Sequence, residues 1–444
     1  MHFVVRRDAL CAVAAATVKV AGSAKGKRSP RDCFKLQMQF ENGLLRVHAG
    51  TAAMSFDAWL PAAFNNIDGS ICTDAKEFAH LLRSDTHSEL LTIEGNGEVS
   101  ATAIVGGHTP EGHIPYSEFP CELPIWDAEK LQISPPTTVV ATVDLCVLRK
   151  AARMAADFCS GSLAQWYIHN TMLIEPMRQG LRFCATNGDL LMMLDAHTGI
   201  TGLLKKAPAQ AFPEVALLCA ALDLWNFTAD PRAADCEIQT LNRNYQHPDG
   251  IKSAAEPLIV LDIAGSGYRI RIVTPPQGAF VEYRKVLGSP GDPGLLFEPN
   301  SVELLQVAEL AKGSRMRRYK GNIGFHCFFQ EPASTVVQLL YAQRMDDSQL
   351  NITVRRTNYN YPGVLLGQLE MPTGKERPDP HVTEMISFDS AYVLSILRHL
   401  GNRPITVKLK GSAAQMELAA LDNGDDSILF VLMPNFRGIT EEDL

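Results

Sequence analysis

Apolar and polar positions change period repeatedly along this chain, and the changes come in a recurring order. His2 to Arg6 alternates and predicts a short strand. Asp8 then reads as the N-cap of an amphipathic helix running to Ala21. An apolar strand over Phe34–Phe40, a turn at Asn42-Gly43 and a second strand over Leu44–Ala49 follow. Glycine supplies the positive φ that such hairpin turns need. The same succession returns as a helix over Asp144–Asp157, a strand over Trp166–Ile174, a turn at Gln179-Gly180 and a strand over Leu181–Thr186.

A second unit also recurs. Asp74 opens a helix that ends in Leu81-Leu82-Arg83, followed by strand Leu91–Ile93, a turn at Gly95-Asn96-Gly97 and a strand over Val99–Thr102. Near the C-terminus Asp389 opens a helix ending in Ile396-Leu397-Arg398, followed by strands Ile405–Val407 and Met416–Ala420. The Asp-to-Arg spacing is nine residues in both copies. A weaker copy in the middle runs through Leu217–Phe227 and the strands Leu258–Ile263 and Tyr268–Ile272, joined by Gly265-Ser266-Gly267. Helix–strand–strand thus occurs twice in each third of the chain. This predicts an α+β protein of three repeated domains, each with two helices packed on antiparallel sheets. Breaker runs at Pro120–Pro124 and Gly288–Gly294 place the boundaries, giving domains over residues 1–128, 129–291 and 292–444.

Composition narrows the class. At 444 residues the length accommodates three ordinary domains. A net charge of −8 argues against a protein whose whole surface coats nucleic acid, but leaves room for a local basic lining. The ten cysteines contain no C-x-x-C pair, and several sit in apolar runs such as Phe183-Cys184-Ala185. They read as reduced, buried thiols of a cytoplasmic protein rather than zinc ligands. The apolar run Ala9–Ala21 resembles a signal peptide, but Asp8 precedes it and Lys19 interrupts it. No stretch is long and apolar enough to span a membrane. No P-loop, dinucleotide fingerprint, His-Glu-x-x-His or nucleophile elbow is present, so no catalytic residue, metal site or cofactor is expected. His108 and His113 are too isolated to suggest a metal site.

Several motifs, in order, resemble the bacterial DNA sliding clamp, the beta subunit of DNA polymerase III. Phe3-Val4-Val5-Arg6-Arg7-Asp8-Ala9-Leu10 resembles the clamp N-terminus, and Ser117-Glu118-Phe119-Pro120 the end of its first domain. Ala185-Thr186-Asn187-Gly188-Asp189 resembles the Ala-Thr-Asp-Gly-His signature. The segment Gly278–Leu287 resembles the Gly-Arg-Phe-Pro-Asp-Tyr segment, and Phe430–Pro434 the Val-Met-Pro ending. The resemblance implies a head-to-tail homodimeric ring with helices lining a central hole. It implies sequence-independent binding of double-stranded DNA, and partners (DNA polymerase, a clamp loader, repair proteins) that insert a short hydrophobic peptide into a cleft between the second and third domains. It implies a cytoplasmic, nucleoid-associated protein that is an accessory subunit rather than an enzyme.

The cleft maps onto His169, Thr186, Gly188, Leu190, Leu191, Val281, Lys285, Val286, Val431, Leu432, Met433 and Pro434. An apolar groove beside backbone edges accepts an extended peptide through a few anchors. Asp189-Leu190-Leu191 replaces a His-Arg-Leu of the family, and His169 replaces a leucine. The chain also continues past Pro434 to Leu444. The expected ring-closing edge of the first domain, Gly106–His113, is polar and Gly- and Pro-containing, with Ser100–Val105 as the other possible edge. This leaves open a clamp-fold protein that binds peptides without closing a ring. Contacts to DNA should go to phosphates. The candidates are Lys19, Lys25, Lys27, Arg28, Lys76, Arg83, Arg149, Lys150, Arg153, Lys312, Arg315, Arg317, Arg318 and Arg398, with Trp166 and Tyr167 near a loop that touches DNA in the family.

Overall fold

The computed structural model describes residues 2–23, 35–50, 54–66, 70–84, 88–95, 102–109, 112–120, 138–158, 171–204, 207–227, 234–242, 257–275, 280–287, 295–297, 301–313, 322–330, 334–344, 352–362, 384–409, 415–422 and 426–433. The chain divides into two compact units. The first takes in Met1–Ala156, Leu163–Arg182 and His197–Ala279, and the second Asp157–Ser162, Phe183–Ala196 and Phe280–Leu444.

The first third holds β1 (His2–Arg6), α1 (Arg7–Ser23), β2 (Lys35–Glu41), β3 (Leu44–Gly50), β4 (Ser55–Leu60), β5 (Ala62–Asn66), β6 (Ser70–Asp74), α2 (Ala75–Ser84), β7 (Leu90–Gly95), β8 (Thr102–Thr109) and β9 (Gly112–Pro120). The middle holds β10 (Thr138–Asp144), α3 (Leu145–Phe158), β11 (Thr171–Pro176), β12 (Leu181–Thr186), β13 (Leu190–Ala196), β14 (Ile200–Thr201), β15 (Gln210–Pro213), α4 (Val215–Leu222) with a 3-10 turn over Asp223–Phe227, β16 (Asp235–Asn242), β17 (Pro257–Gly265), β18 (Tyr268–Thr274) and α5 (Arg284–Leu287). The last third holds β19 (Leu295–Phe297), α6 (Ser301–Gly313), β20 (Asn322–Gln330), β21 (Ser334–Arg344), β22 (Ile352–Pro362), β23 (Glu384–Asp389), α7 (Ser390–Leu400), β24 (Thr406–Leu409), β25 (Met416–Asp422) and β26 (Asp426–Leu432).

The expected architecture is present, an α+β chain with antiparallel sheets. The hairpins form where the turn residues put them. Asn42 and Gly43 both take positive φ, 53° and 82°, which matches the twist of the β2–β3 pair. Aspartates end strands and open helices at equivalent places. Asp74 Oδ1 accepts from the backbone N–H of Lys76 and Glu77, Asp144 Oδ1 from Cys146 and Asp389 Oδ1 from Ala391, at 2.7–2.9 Å. Each satisfies donors that the first helical turn leaves without a partner. Asp8 differs from expectation. The helix starts one residue earlier, so Asp8 lies in the first turn, paired to Arg7 at 2.8 Å, rather than at the cap.

In the first unit, five strands run in the order β5-β1-β7-β8-β9 and nine in the order β14-β10-β16-β17-β18-β4-β3-β2-β6. The nine-stranded sheet crosses from the first third to the second through β4 and β18, where Trp59 faces Arg269 and Phe56 faces Ile272. Helix α1 packs against both α2 and α4, which is why it buries Ala9, Leu10, Val13, Ala14, Ala16, Thr17 and Val20 around most of its circumference. The expected edge of the five-stranded sheet is displaced. Thr102–Thr109 lies inside the sheet, bonded to β7 on one side and β9 on the other, and the terminal strand is Gly112–Pro120. Gly106 and Gly107 do not prevent this, because a ladder is built from backbone groups that glycine retains.

On the face of the nine-stranded sheet opposite Phe56 and Val47, a charged row replaces apolar residues. Asp57 accepts from Arg46 Nη2 at 2.7 Å and pairs with His48 Nδ1 at 2.8 Å. Arg46 also reaches Glu41 at 2.9 Å. The Arg46 and Arg269 guanidiniums lie 5.5 and 5.3 Å from the Trp59 ring centroid, and Arg269 binds Asp262 at 2.6 Å. Burial alone would raise the Asp57 pKa, but His48 and then Arg46 outweigh it and hold the carboxyl below its usual range.

In the second unit, β12 from Phe183 onward, β13, β26, β25, β24 and β19 are neighbours in that order, and β22-β21-β20-β23 form a four-stranded sheet. Helices α6 and α7 pack on each other. Val393, Leu394, Ile396, Leu397 and Leu400 make the buried face of α7. Cys72, Cys184 and Cys236 are buried, as expected, and burial pushes the Cys236 thiol well above the ordinary value. Cys146 departs from that expectation: it is exposed, because the first turn of α3 turns it outward.

Candidate partner-peptide and DNA-facing sites

The cleft residues that the structure describes gather in the second unit around the turn between β12 and β13. Asn187 Oδ1 accepts from Asp189 N at 3.1 Å and Leu190 N at 2.8 Å, while Thr186 Oγ1 donates to Leu190 O and accepts from Gly188 N. These bonds close the turn on itself. Past it, β13 pairs with β26, with Leu190 opposite Leu432 and Leu191 opposite Val431. Met433 N–H then donates to Asp189 O at 2.8 Å, which extends the ladder into the turn.

The second element is the Val281–Leu287 segment. Tyr283 is buried and anchors it, with its ring 6.4 Å from Phe280 and the Arg284 guanidinium 4.9 Å from its centroid. Lys285 is ion-paired to Glu282. Gln415 Nε2 donates to Val286 O at 2.8 Å. Gln415 directly precedes Met416, which faces Leu432, so this bond brings the segment to the strand end that carries Met433.

The predicted cleft residues therefore separate into floor and mouth. Thr186, Leu190, Leu191, Val431 and Leu432 are buried in the sheet. Val281 and Val286 remain 39% exposed and Met433 42%, beside exposed Gly188 and Lys285. Exposed branched and thioether side chains gain from being covered. His169 and Pro434 lie outside the described residues, as do the chain from 435 to 444 and the Trp166-Tyr167 loop.

One member of the mouth was not singled out from the sequence. Tyr392, in the first turn of α7, accepts a hydrogen bond from Asn187 Nδ2 at 3.2 Å. Burial first, then Asp189 and Asp389, push its phenol above the ordinary value. Its position two residues beyond the serine that opens α7 was visible, but nothing local told that this face meets a turn some 200 residues away.

The basic candidates lie on or beside the helices. Lys19 on α1, Lys76 and Arg83 on α2, Arg153 on α3 and Arg398 on α7 are exposed, while Arg149 and Lys150 on α3 are half-buried. Several are already engaged. Arg149 donates to Asn226 Oδ1, and burial with neighbouring Arg153 lowers its pKa. Arg153 reaches Asp223 at 3.4 Å, and Arg398 reaches Glu309 at 3.7 Å. Lys312 lies on α6. Lys25, Lys27, Arg28, Arg315, Arg317 and Arg318 lie outside the described residues. Among the described residues, no group of His, Cys, Asp and Glu is arranged to hold a metal ion, and no helix is long and apolar enough to cross a membrane.

Antiparallel sheets and capped helices packed in pairs give this chain the fold of the bacterial DNA sliding clamps. The chain matches the DNA polymerase III subunit beta of Pseudomonas aeruginosa with a TM-score of 0.62, covering 98% of this chain and 100% of that one at 16% identity. It matches the Pseudomonas aeruginosa clamp bound to griselimycin with a TM-score of 0.63, over 98% and 99% of the two chains at 15% identity. The Helicobacter pylori beta clamp bound to a DNA ligase peptide matches with a TM-score of 0.59, over 98% and 100% at 11% identity. No protein-family model and no curated protein matches the chain.

Proposed function

We propose that this chain is a DNA sliding clamp, a non-catalytic processivity factor that encircles duplex DNA and tethers DNA polymerase, a clamp loader and repair proteins. The observation that carries the reading is the exposed apolar mouth of Val281, Val286 and Met433 against the Asn187–Asp189 turn, in a chain that has the clamp fold from end to end. That mouth takes a short hydrophobic peptide, as the Helicobacter pylori clamp takes a DNA ligase peptide. Three domains over 1–128, 129–291 and 292–444, a head-to-tail homodimer and a cytoplasmic, nucleoid-associated location complete the proposal. Lys19, Lys76 and Arg83 are exposed cations on the helices and candidates for phosphate contact.

The test is topological. A clamp loaded on nicked circular DNA stays bound and is released when that DNA is linearised. Equal loss from both forms would refute encirclement.

A second reading has its own support. Arg149, Arg153 and Arg398 are bound to Asn226, Asp223 and Glu309, and the terminal strand β9 carries Pro115 and Pro120, which cannot donate to a ladder. These observations favour a clamp-fold protein that binds peptides without closing on DNA. A light-scattering mass at about micromolar concentration separates the two, and a stable dimer counts against the second.

A further inference from the structure

The mouth of the apolar site is not electrically neutral. Asp189 sits at the tip of the β12–β13 turn, with its carbonyl bound to Met433 N–H, and Asn187 of the same turn donates to the Tyr392 hydroxyl at 3.2 Å. Asp389 caps α7 three residues before Tyr392, and both it and Asp189 help hold that phenol above its ordinary value. Among the described residues, neither carboxylate has a salt-bridge partner. The cations of the Val281–Leu287 segment are engaged, Lys285 with Glu282 and Arg284 over the Tyr283 ring.

We infer that the site prefers a hydrophobic peptide carrying a lysine or arginine beside its apolar anchors, with that cation facing Asp189 and Asp389. The inference rests on the peptide-binding reading of the site and adds the chemistry of the partner. Apolar anchors cover Val281, Val286 and Met433, which supplies affinity but little discrimination. The cation supplies discrimination, because complementary charge at a rim favours one partner and repels its opposite. The attraction acts at an exposed rim, so it is modest and falls with salt.

The experiment uses the full chain and two fluorescein-labelled octapeptides with the same Leu-Phe centre, one flanked by lysine and one by glutamate. Polarisation titrations at low salt should show the lysine peptide binding about fivefold more tightly, with the gap closing as salt rises to about 0.5 M. The double variant Asp189→Asn, Asp389→Asn removes both charges. It keeps an effective helix cap, since asparagine caps as well as aspartate. It should abolish the preference while leaving the affinity of a neutral alanine-flanked peptide unchanged. Equal affinity for the lysine and glutamate peptides, or a preference that survives in the double variant, would overturn the inference while leaving the cleft intact. Failure of all three peptides to bind would overturn the cleft reading itself, and the inference with it.

Discussion

Replacing Asp57 with asparagine tests whether the charged row on the nine-stranded sheet stabilises the first unit. The Asp57 side chain is only 9% exposed and lies between Arg46 at 2.7 Å and His48 at 2.8 Å. Removing one partner of a buried ion pair costs about 3–5 kcal/mol, because the other charge stays desolvated. Arg46 is 23% exposed and keeps both Glu41 and the Trp59 face, so the loss here falls at or below the lower end, roughly 2–3 kcal/mol. The pH dependence has a definite sign. The folded carboxyl titrates below its unfolded value of roughly 4, so its contribution is complete above that value. The contribution is lost as pH falls through the lower folded value. Urea unfolding followed by tryptophan fluorescence at pH 7, 5 and 3 reads this directly. The wild type should exceed Asp57→Asn by the full amount at pH 7 and 5, and the gap should shrink at pH 3. Equal midpoints at pH 7, or a gap undiminished at pH 3, would refute the reasoning.

Three further outcomes are expected. Gly199 takes φ +66° and an added Cβ would lie 2.9 Å from Asp144 Cβ and 3.1 Å from Val147 Cγ2, so Gly199→Ala should cost about 2–4 kcal/mol in urea unfolding. Val286→Asp should weaken binding of a hydrophobic peptide by roughly tenfold or more in polarisation titrations, with little change in the unfolding midpoint, because Val286 is 39% exposed. Arg83→Ala should lower DNA affinity and reduce the slope of log affinity against log salt by about one, measured by retention on nicked circles at several salt concentrations.

Local features were legible in the sequence and long-range ones were not. The aspartate caps at Asp74, Asp144 and Asp389 and the Asn42-Gly43 hairpin follow from chemistry within a few residues, and the structure forms them. The resemblance points to Gly106–His113, or else Ser100–Val105, as the ring-closing edge, whereas Thr102–Thr109 lies inside the sheet and Gly112–Pro120 ends it. The place of Thr102–Thr109 inside the sheet depends on β7 and β9 supplying backbone partners on both sides. The Asp57 network escaped notice because Arg46, His48 and Asp57 look like ordinary outward-facing strand residues until β3 and β4 align. In the candidate site, the apolar residues were named, but their division into buried floor and exposed mouth was not. Alternation places Leu190 and Leu191 on opposite faces of one strand, and only packing on both faces buries both. Tyr392 joined the site through a contact that spans most of the last two thirds of the chain.

The β4–β18 pairing also limits how the chain can be divided. Cutting between the first and second repeats would leave two fragments, each with a bare edge strand carrying unpaired backbone groups and apolar residues such as Phe56 and Ile272. Such strands template self-association. A truncation ending near residue 128 should therefore aggregate rather than yield a soluble module, and proteolysis of the linker should leave the two halves bound as a nicked pair.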